Sequence, residues 1–197
     1  MIKEHKTTLV LLVAAVLILA IVFALMKPFG GSAAASSGIL ASNQTLQARF
    51  AALSTANSDQ CSYLGNQAAI YQSIGAMTNT SYLQGSCCSP MNYTHYVEQI
   101  AGLKNYSDIS AIPQDPYNVT VQQVKQMLNY YNSITLNQSQ NATFDQAASL
   151  TADKSWCCCP CWAWYAHAGL AKYLIKNYNY NVTQVVNLVN LEDCCGG

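Results

Sequence analysis

Apolar residues recur at helical spacing along most of the chain after about residue 40. Two such faces are Leu46, Phe50 and Leu53, and Val121, Val124, Leu128 and Tyr131. Successive members of each face lie three or four positions apart, as they do on one side of an α-helix. No clear run of alternating apolar and polar residues indicates a strand. The pattern therefore predicts a compact, mainly α-helical fold.

Prolines and small polar residues indicate where these helices begin and end. Ser89-Pro90 resembles an N-cap followed by a first-turn proline, and Pro160 can open a later helix in the same way. Residues 105–117 contain two prolines and are predicted to form an irregular connection. Helices are predicted at residues 90–104, 143–150, 161–176 and 183–190.

The amino terminus carries one long apolar segment. Leu9 to Met26 is a run of eighteen residues without a charge, and Lys3 and Lys6 precede it. Such a run is long enough to cross the roughly 30 Å hydrocarbon layer as a helix. The basic flank should stay in the cytoplasm, which places the rest of the chain outside. A cleaved signal peptide is the alternative, because residues 32–37 are small enough for a cleavage site.

We favour the retained anchor, which predicts a single-pass protein of the cell membrane with most of the chain outside the cytoplasm; cleavage would make it secreted. The predicted division is an anchor at 1–30, a linker of small residues at 31–40 and a helical, cysteine-rich domain at 41–197. The membrane is then the first predicted partner.

The composition excludes several classes of protein. Of the 197 residues 51% are hydrophobic and only 9% are charged, with nine basic and nine acidic side chains. A nucleic-acid binder, a solvated disordered chain or a coiled coil needs far more charge, so no nucleic acid is expected as a partner. Eight glycosylation sequons predict a glycan-bearing outer surface. They lie at Asn43, Asn79, Asn92, Asn105, Asn118, Asn137, Asn141 and Asn181.

Two stretches of the domain resemble one another. Aligning His95 with His167 superimposes two Lys-Asn-Tyr triplets, and both copies continue into Tyr-Asn-Val-Thr. Adjacent cysteines and a proline precede each histidine. Either the domain contains two pseudo-repeated helical units, at 87–133 and 157–193, or the matches are coincidental in a chain rich in Asn and Tyr.

The nine cysteines all follow the apolar segment. Outside the cytoplasm their default use is in disulfides, and four bridges would contribute about 2 to 4 kcal/mol each. However, the number is odd, and eight of the nine fall in the clusters CC, CCCxC and CC. Adjacent cysteines rarely bond to each other because the geometry strains the peptide between them. Each cluster must therefore reach another part of the chain, which predicts that several thiols converge.

Converging thiolates with an imidazole suit Cu(I), Zn(II) or an iron–sulfur centre. We therefore predict an extracytoplasmic protein that binds Cu, Zn or Fe for sequestration, delivery or electron transfer, with a metal donor or acceptor protein as its partner. A solvated His95 and a core His167 are the alternatives for the two histidines. The candidate ligands are Cys87, Cys88, His95, Cys157, Cys158, Cys159, Cys161, His167, Cys194 and Cys195.

Two other functions remain open. One is a disulfide-stapled surface or interaction domain without chemistry. The other is an exported thiol–disulfide oxidoreductase, because Cys158 and Cys161 form a CxPC motif in which a helix N-terminus would lower the pKa of Cys158. A thioredoxin fold is not expected, because the segment before the motif indicates no strand and only 36 residues follow it. We assign no catalytic residue, and an enzymatic role is not favoured.

The CCCPC cluster, the WAWYAHAGLAKYLIK segment after it and the terminal LEDCCGG together resemble exported bacterial and archaeal proteins known for a PCYCGC motif. The resemblance covers about the last forty residues. It implies a membrane-attached, cysteine-rich domain without a settled function. CCCPC differs from PCYCGC in order and spacing, so no site residue carries over from that family.

Overall fold

The computed structural model describes residues 45–56 and 65–196. Helices dominate this part of the chain, so the predicted mainly helical, cysteine-rich character is confirmed for it. They are α1 (residues 45–54), α2 (Gln67–Ala76), α3 (Tyr93–Leu103), α4 (Val121–Ser133), α5 (Gln138–Leu150), α6 (Trp162–Tyr178) and α7 (Val182–Leu191). A single 3₁₀ turn, Lys104–Tyr106, continues α3.

Uncharged side chains cap most of these helices. The side-chain oxygen of the N-cap residue accepts a backbone N–H of the first turn in α2, α3, α4, α5 and α7, where the caps are Asn66, Asn92, Thr120, Asn137 and Asn181. In α5 and α7 a glutamine three residues later completes a capping box. The abundant asparagines therefore begin helices in a chain that has few aspartates.

The caps explain where the predicted helix boundaries were wrong. Helix α3 begins at Tyr93 and not at Pro90, because Asn92 provides the cap. Helix α5 begins at Gln138, five residues before the predicted start, because Asn137 caps it and Gln140 bonds back to the cap. Helix α2 was not predicted, and its outward face is mixed in polarity. Helix α6 matches its prediction closely, with Cys161 at the N-cap.

A short sheet was also missed. Tyr82–Gln84 (β1) pairs antiparallel with Asn118–Thr120 (β2), and Leu83 faces Val119 across the pair. Both of these residues are buried. Three-residue strands are too short to show an alternating pattern in the sequence. The pairing helps to position the cysteines, because the Cys87-Cys88 turn follows β1 along the chain.

Helix α6 lies at the centre of the fold. Ten of its residues are buried, and it contributes to both hydrophobic clusters of the core. One cluster joins it to α3 and α4, and the other joins it to α5 and α7. Gly169 allows the approach of α4, since a Cβ there would collide with the backbone carbonyl of Met127. The turn that precedes α6 is therefore fixed against the core.

Among the described residues, no helix is both long enough and apolar enough to cross a membrane. The predicted anchor at 1–30, the linker at 31–40 and Cys61 lie outside the described residues. The two Tyr-Asn-Val-Thr segments differ in structure, because Asn118–Thr120 is a strand whereas Asn181 caps α7. The pseudo-repeat stays a prediction.

Candidate metal centre

Three segments of the chain bring their cysteines to one place. The first is the Cys87-Cys88 turn between β1 and α3, the second is the CCCPC turn (residues 157–161) before α6, and the third is the Cys194-Cys195 tail after α7. We call the sulfurs of seven of these residues the thiol cluster, namely Cys87, Cys88, Cys157, Cys158, Cys159, Cys161 and Cys195; Cys194 lies beside it. The prediction that the cysteine clusters converge is confirmed for the described cysteines.

The tail is bonded to the first turn along the backbone. The Cys87 N–H donates to the Cys194 carbonyl at 3.1 Å, and the Ser89 N–H donates to the Cys195 carbonyl at 2.8 Å. The Ser89 hydroxyl donates to that same carbonyl at 2.9 Å. Gly196 follows with φ +92°, and a Cβ there would collide with Ser89. The tail cysteines are thus positioned by hydrogen bonds and by a glycine that lets the chain turn.

Polar contacts and one aromatic contact hold the CCCPC turn in place. Before it, the buried Thr151 hydroxyl donates to the Ser155 carbonyl at 2.6 Å, and the Ser155 N–H returns a bond to that oxygen at 3.2 Å. Within it, the Cys161 N–H donates to the Cys159 carbonyl at 2.8 Å. Trp156 packs against Phe144, with ring centroids 4.4 Å apart. The three consecutive cysteines are therefore presented by an ordered turn.

The sulfur atoms of the cluster are in direct contact. Cys158 Sγ lies 2.8 Å from Cys195 Sγ and 2.9 Å from Cys88 Sγ. Cys157 Sγ lies 3.0 Å from Cys195 Sγ and 3.9 Å from Cys161 Sγ. The remaining contacts are 3.5 Å for Cys87–Cys88, 3.5 Å for Cys88–Cys159 and 3.8 Å for Cys87–Cys195. A disulfide bond measures about 2.05 Å, so each of these seven distances is that of contact.

Four sets of ligand atoms have all members within 4.8 Å of one another. The first two contain four atoms each and the last two contain three sulfurs each. The sets are Cys87, Cys157, Cys159 and Cys161; Asp153, Cys157, Cys158 and Cys195; Cys87, Cys88 and Cys195; and Cys88, Cys158 and Cys159. Groups of this size and spacing can hold a metal ion. Thiolate sulfur favours soft ions and disfavours Mg²⁺ or Ca²⁺.

The cluster is buried on one side and open on the other. Cys157, Cys161, Cys194 and Cys195 are buried, whereas Cys88 and Cys158 are exposed and Cys87 and Cys159 are intermediate. Cys194 belongs to none of the four sets, although its thiol interacts with that of Cys87. An ion can therefore reach the cluster from solvent through the exposed sulfurs.

Proximity makes the thiols ionise unequally. The pKa of Cys157 is held far below its ordinary value because Cys161, Cys195 and Cys87 direct hydrogen bonds at its sulfur. The pKa of Cys161 and of Cys195 is raised in turn, chiefly because each bonds to Cys157. Although burial opposes it, hydrogen bonds from Cys158, Cys87 and Cys159 also lower the pKa of Cys88. Since metals bind the thiolate, these lowered pKa values favour metal binding both in the buried part of the cluster, at Cys157, and in its exposed part, at Cys88.

The predicted low pKa of Cys158 is wrong. Burial raises the pKa of that thiol to about 12. The residue at the helix N-cap is Cys161, not Cys158, and the sulfur contacts of Cys158 are with Cys88 and Cys195. The thiol that the oxidoreductase hypothesis needed in its ionised form is therefore protonated at neutral pH.

Neither histidine contributes an atom to the four sets. His167 is buried, and its Nδ1 lies 2.8 Å from the Trp156 carbonyl, which makes Nδ1 the donor. His95 is half-buried on α3, where it lines a groove with Glu98. Their role as ligands stays a prediction. Asp153, which the sequence analysis did not select, does belong to the second set. Its position four residues before Cys157 is the sequence feature that could have identified it as a candidate ligand.

Comparison of the chain with protein-family models, with curated proteins and with solved structures found no match. We therefore infer the function from the arrangement of the cysteines.

Proposed function

We propose that this protein binds soft transition-metal ions, Cu, Zn or Fe, through the thiol cluster and that it sequesters and delivers them. The observation that carries the proposal is the contact of sulfurs from three segments that are far apart in the chain. Bringing so many thiols together has a cost, because the thiols are polarisable, oxidisable groups and several of them are buried. Coordination to a soft ion is the chemistry that uses them all at once.

The openness of the cluster supports delivery as well as storage. Cys88 and Cys158 are exposed, whereas Cys157 and Cys161 beneath them are buried. An incoming ion can exchange ligands with the exposed thiols while the buried ones retain it. A donor or acceptor that itself offers thiolates is the partner that such an exchange needs. If residues 1–30 form the anchor, this exchange takes place at the outer face of a membrane.

The disulfide-stapled domain is the main competing function. It requires the cysteines to form separate, exclusive pairs, yet Cys195 contacts Cys87, Cys157 and Cys158. One sulfur with three sulfur neighbours suits shared coordination better than one covalent bond. This observation favours the metal site.

The direct test is the metal content of the full-length protein, purified in detergent without oxygen. We expect Cu, Zn or Fe by elemental analysis, together with cysteines that alkylate after chelation alone, without a reductant. Paired cysteines and no metal, read by mass spectrometry before and after reduction, would contradict the proposal and support the staple. A rapidly exchanging Cys158–Cys161 disulfide would instead support the oxidoreductase.

A double substitution tests the residues. Cys158→Ser with Cys161→Ser removes one sulfur from each of three of the four sets, so we expect the bound metal to be lost while the helix content by circular dichroism is retained. His95→Gln is the matched control, because its side chain belongs to none of the sets. Unchanged metal stoichiometry in the double variant would contradict the assignment, and metal loss in the control would make His95 a ligand.

A further inference from the structure

Six sulfurs of the thiol cluster are each shared between two of the four sets. They are those of Cys87, Cys88, Cys157, Cys158, Cys159 and Cys195. Cys161 and Asp153 belong to one set each. Any two sets have one sulfur in common; for instance, Cys157 joins the first to the second and Cys88 joins the third to the fourth. A sulfur that lies in two sets can bridge two metal ions.

The way in which the four sets share these six sulfurs is that of an octahedron with one sulfur at each corner. Each of the six lies within 4.8 Å of four others, and the pairs that share no set are Cys157 with Cys88, Cys87 with Cys158 and Cys159 with Cys195. Those three pairs are the opposite corners. Six sulfur contacts among these residues, from 2.8 to 3.8 Å, and the hydrogen bond between Cys87 and Cys157 all lie along edges. The four sets are four alternate faces, and each of the other four faces also has its three sulfurs within 4.8 Å of one another.

We propose that the thiol cluster assembles a tetranuclear Cu(I)–thiolate centre, with one copper on each of the four faces and the six shared cysteines as bridges. The inference rests on the proposed function and specifies its metal, its nuclearity and its ligands. An octahedron of six bridging thiolates with four ions on alternate faces is the framework of M₄(SR)₆ complexes. Cu(I) forms it because a soft ion with three sulfur ligands suits each face.

The other soft metals fit this arrangement less well. Zinc in structural sites takes four ligands, yet at two of the faces the described residues offer only three sulfurs. An iron–sulfur cluster places inorganic sulfide between its irons, whereas these cysteine sulfurs touch one another directly. Cys161, which lies 3.9 Å from Cys157 Sγ, gives the most buried face a fourth sulfur.

Five of the six sulfur contacts, from 2.8 to 3.5 Å, are shorter than such a centre needs, so these sulfurs must separate as copper enters. Metal–sulfur bonds of about 2.3 Å to three sulfurs in one plane place those sulfurs about 4.0 Å apart. The Cys87–Cys195 contact at 3.8 Å nearly meets this value. The two shortest contacts, 2.8 and 2.9 Å, both involve Cys158, which is exposed and can rotate outward. Loading is a ligand exchange: Cu(I) leaves the thiolates of its donor, those bridging sulfurs that still carry a proton release it to solvent, and copper stays Cu(I).

The test is a titration of the reduced full-length protein in detergent, without oxygen, with Cu(I) supplied as a complex with a competing chelator. Native mass spectrometry reads the ions bound per chain. We expect cooperative filling, in which the metal-free and four-copper forms dominate at every ratio, and the luminescence of a polynuclear Cu(I)–thiolate centre. One copper per chain, or stepwise filling without cooperativity, would overturn the inference while leaving the proposed function in place. Failure to bind any of Cu(I), Zn(II) or Fe(II) would overturn both.

Two matched serine variants test the bridges. Cys158→Ser removes an exposed bridge, so its fold should survive, and we expect loss of the four-copper form. Cys194→Ser makes the same change in the tail at a sulfur outside the four sets, and we expect it to keep the four-copper form. A Cys158→Ser protein that still fills cooperatively with four copper ions would refute the bridging assignment. Retained helical circular dichroism in both variants excludes unfolding as the cause.

Discussion

Glu192 is a carboxyl group enclosed by the protein at the end of α7. It is 2% exposed, and among the described residues its Oε1 has no hydrogen-bond partner. Burial raises its pKa well above the ordinary value of 4.5, and the charge of Asp115 adds to the effect. The folded protein therefore holds the proton on this group to a higher pH than the unfolded chain does.

This burial predicts a pH-dependent stability. Because the pKa is raised on folding, the contribution of Glu192 to the free energy of unfolding is complete below about pH 4.5 and is lost as the pH rises through the folded-state pKa. Glu192→Gln keeps the shape without the titrating proton, so we expect its stability to fall less between acid and neutral pH. Urea unfolding across that range measures the slope. Glu98→Gln, at an exposed position on α3, is the control, and equal slopes for Glu192→Gln and the unaltered protein would refute the prediction.

The contact between α4 and α6 depends on one glycine. A methyl group at Gly169 would collide with the Met127 carbonyl, so Gly169→Ala must push the helices apart. We expect a loss of about 1 to 3 kcal/mol in the free energy of unfolding. Gly75→Ala on α2, where the added methyl meets nothing within 4 Å, should be neutral or stabilising by up to about 1 kcal/mol. Denaturant unfolding of the two variants measures the difference; equal effects would show that the close approach is not limiting.

The tail after α7 positions two sulfurs through its backbone. Gly196→Ala would introduce a Cβ that collides with Ser89 at a residue with φ +92°, and the tail would be displaced from the first turn. We expect the affinity for Cu(I) to fall about tenfold or more, as happens when groups that orient ligands are disturbed. Chelator competition measures it.

Asn179→Ala is the control for this variant. Asn179 also has a positive φ, 54°, but it is the C-cap of α6 and lies at the end of that helix opposite to the CCCPC turn. Alanine there carries a comparable conformational penalty away from the tail, so the Cu(I) affinity of this variant should stay unchanged. An equal loss in both variants would mean that the backbone penalty, and not the position of Cys195, lowers the affinity.

For the domain as a whole, a bound metal should act as a cross-link. The thiol cluster joins segments that precede α3, precede α6 and follow α7, so an ion bound there connects most of the core. Binding to the folded state alone stabilises it by about 2.7 kcal/mol when the free ion is at a hundred times its Kd. We expect a higher Tm with Cu(I) than after chelation, measured by thermal circular dichroism. An unchanged Tm at saturating Cu(I) would show that the ion is not bound by the folded domain.

The helical class could be predicted because the apolar periodicity is local. The start of α6 at Pro160–Cys161 was also visible, since a proline before an apolar run is a local signal. Helix boundaries set by an asparagine cap, as at Asn92 and Asn137, were missed because asparagine is so common here that a single one is uninformative. The β1–β2 pair depends on residues 34 or more positions apart, and its strands are too short to be recognised.

Composition and spacing were enough to show that adjacent cysteines would have to seek distant partners, because a cysteine cannot easily bond its neighbour. Which sulfurs meet is set by long-range contacts: the tail bonds to the Cys87–Ser89 turn, and α6 holds the CCCPC turn against the core. The octahedral sharing of six sulfurs, the place of Asp153 and the separation of both histidines from the four sets follow from those contacts. Apart from the carboxylate four residues before Cys157, they have no local signature, because each depends on the relative positions of elements that the chain brings together only on folding.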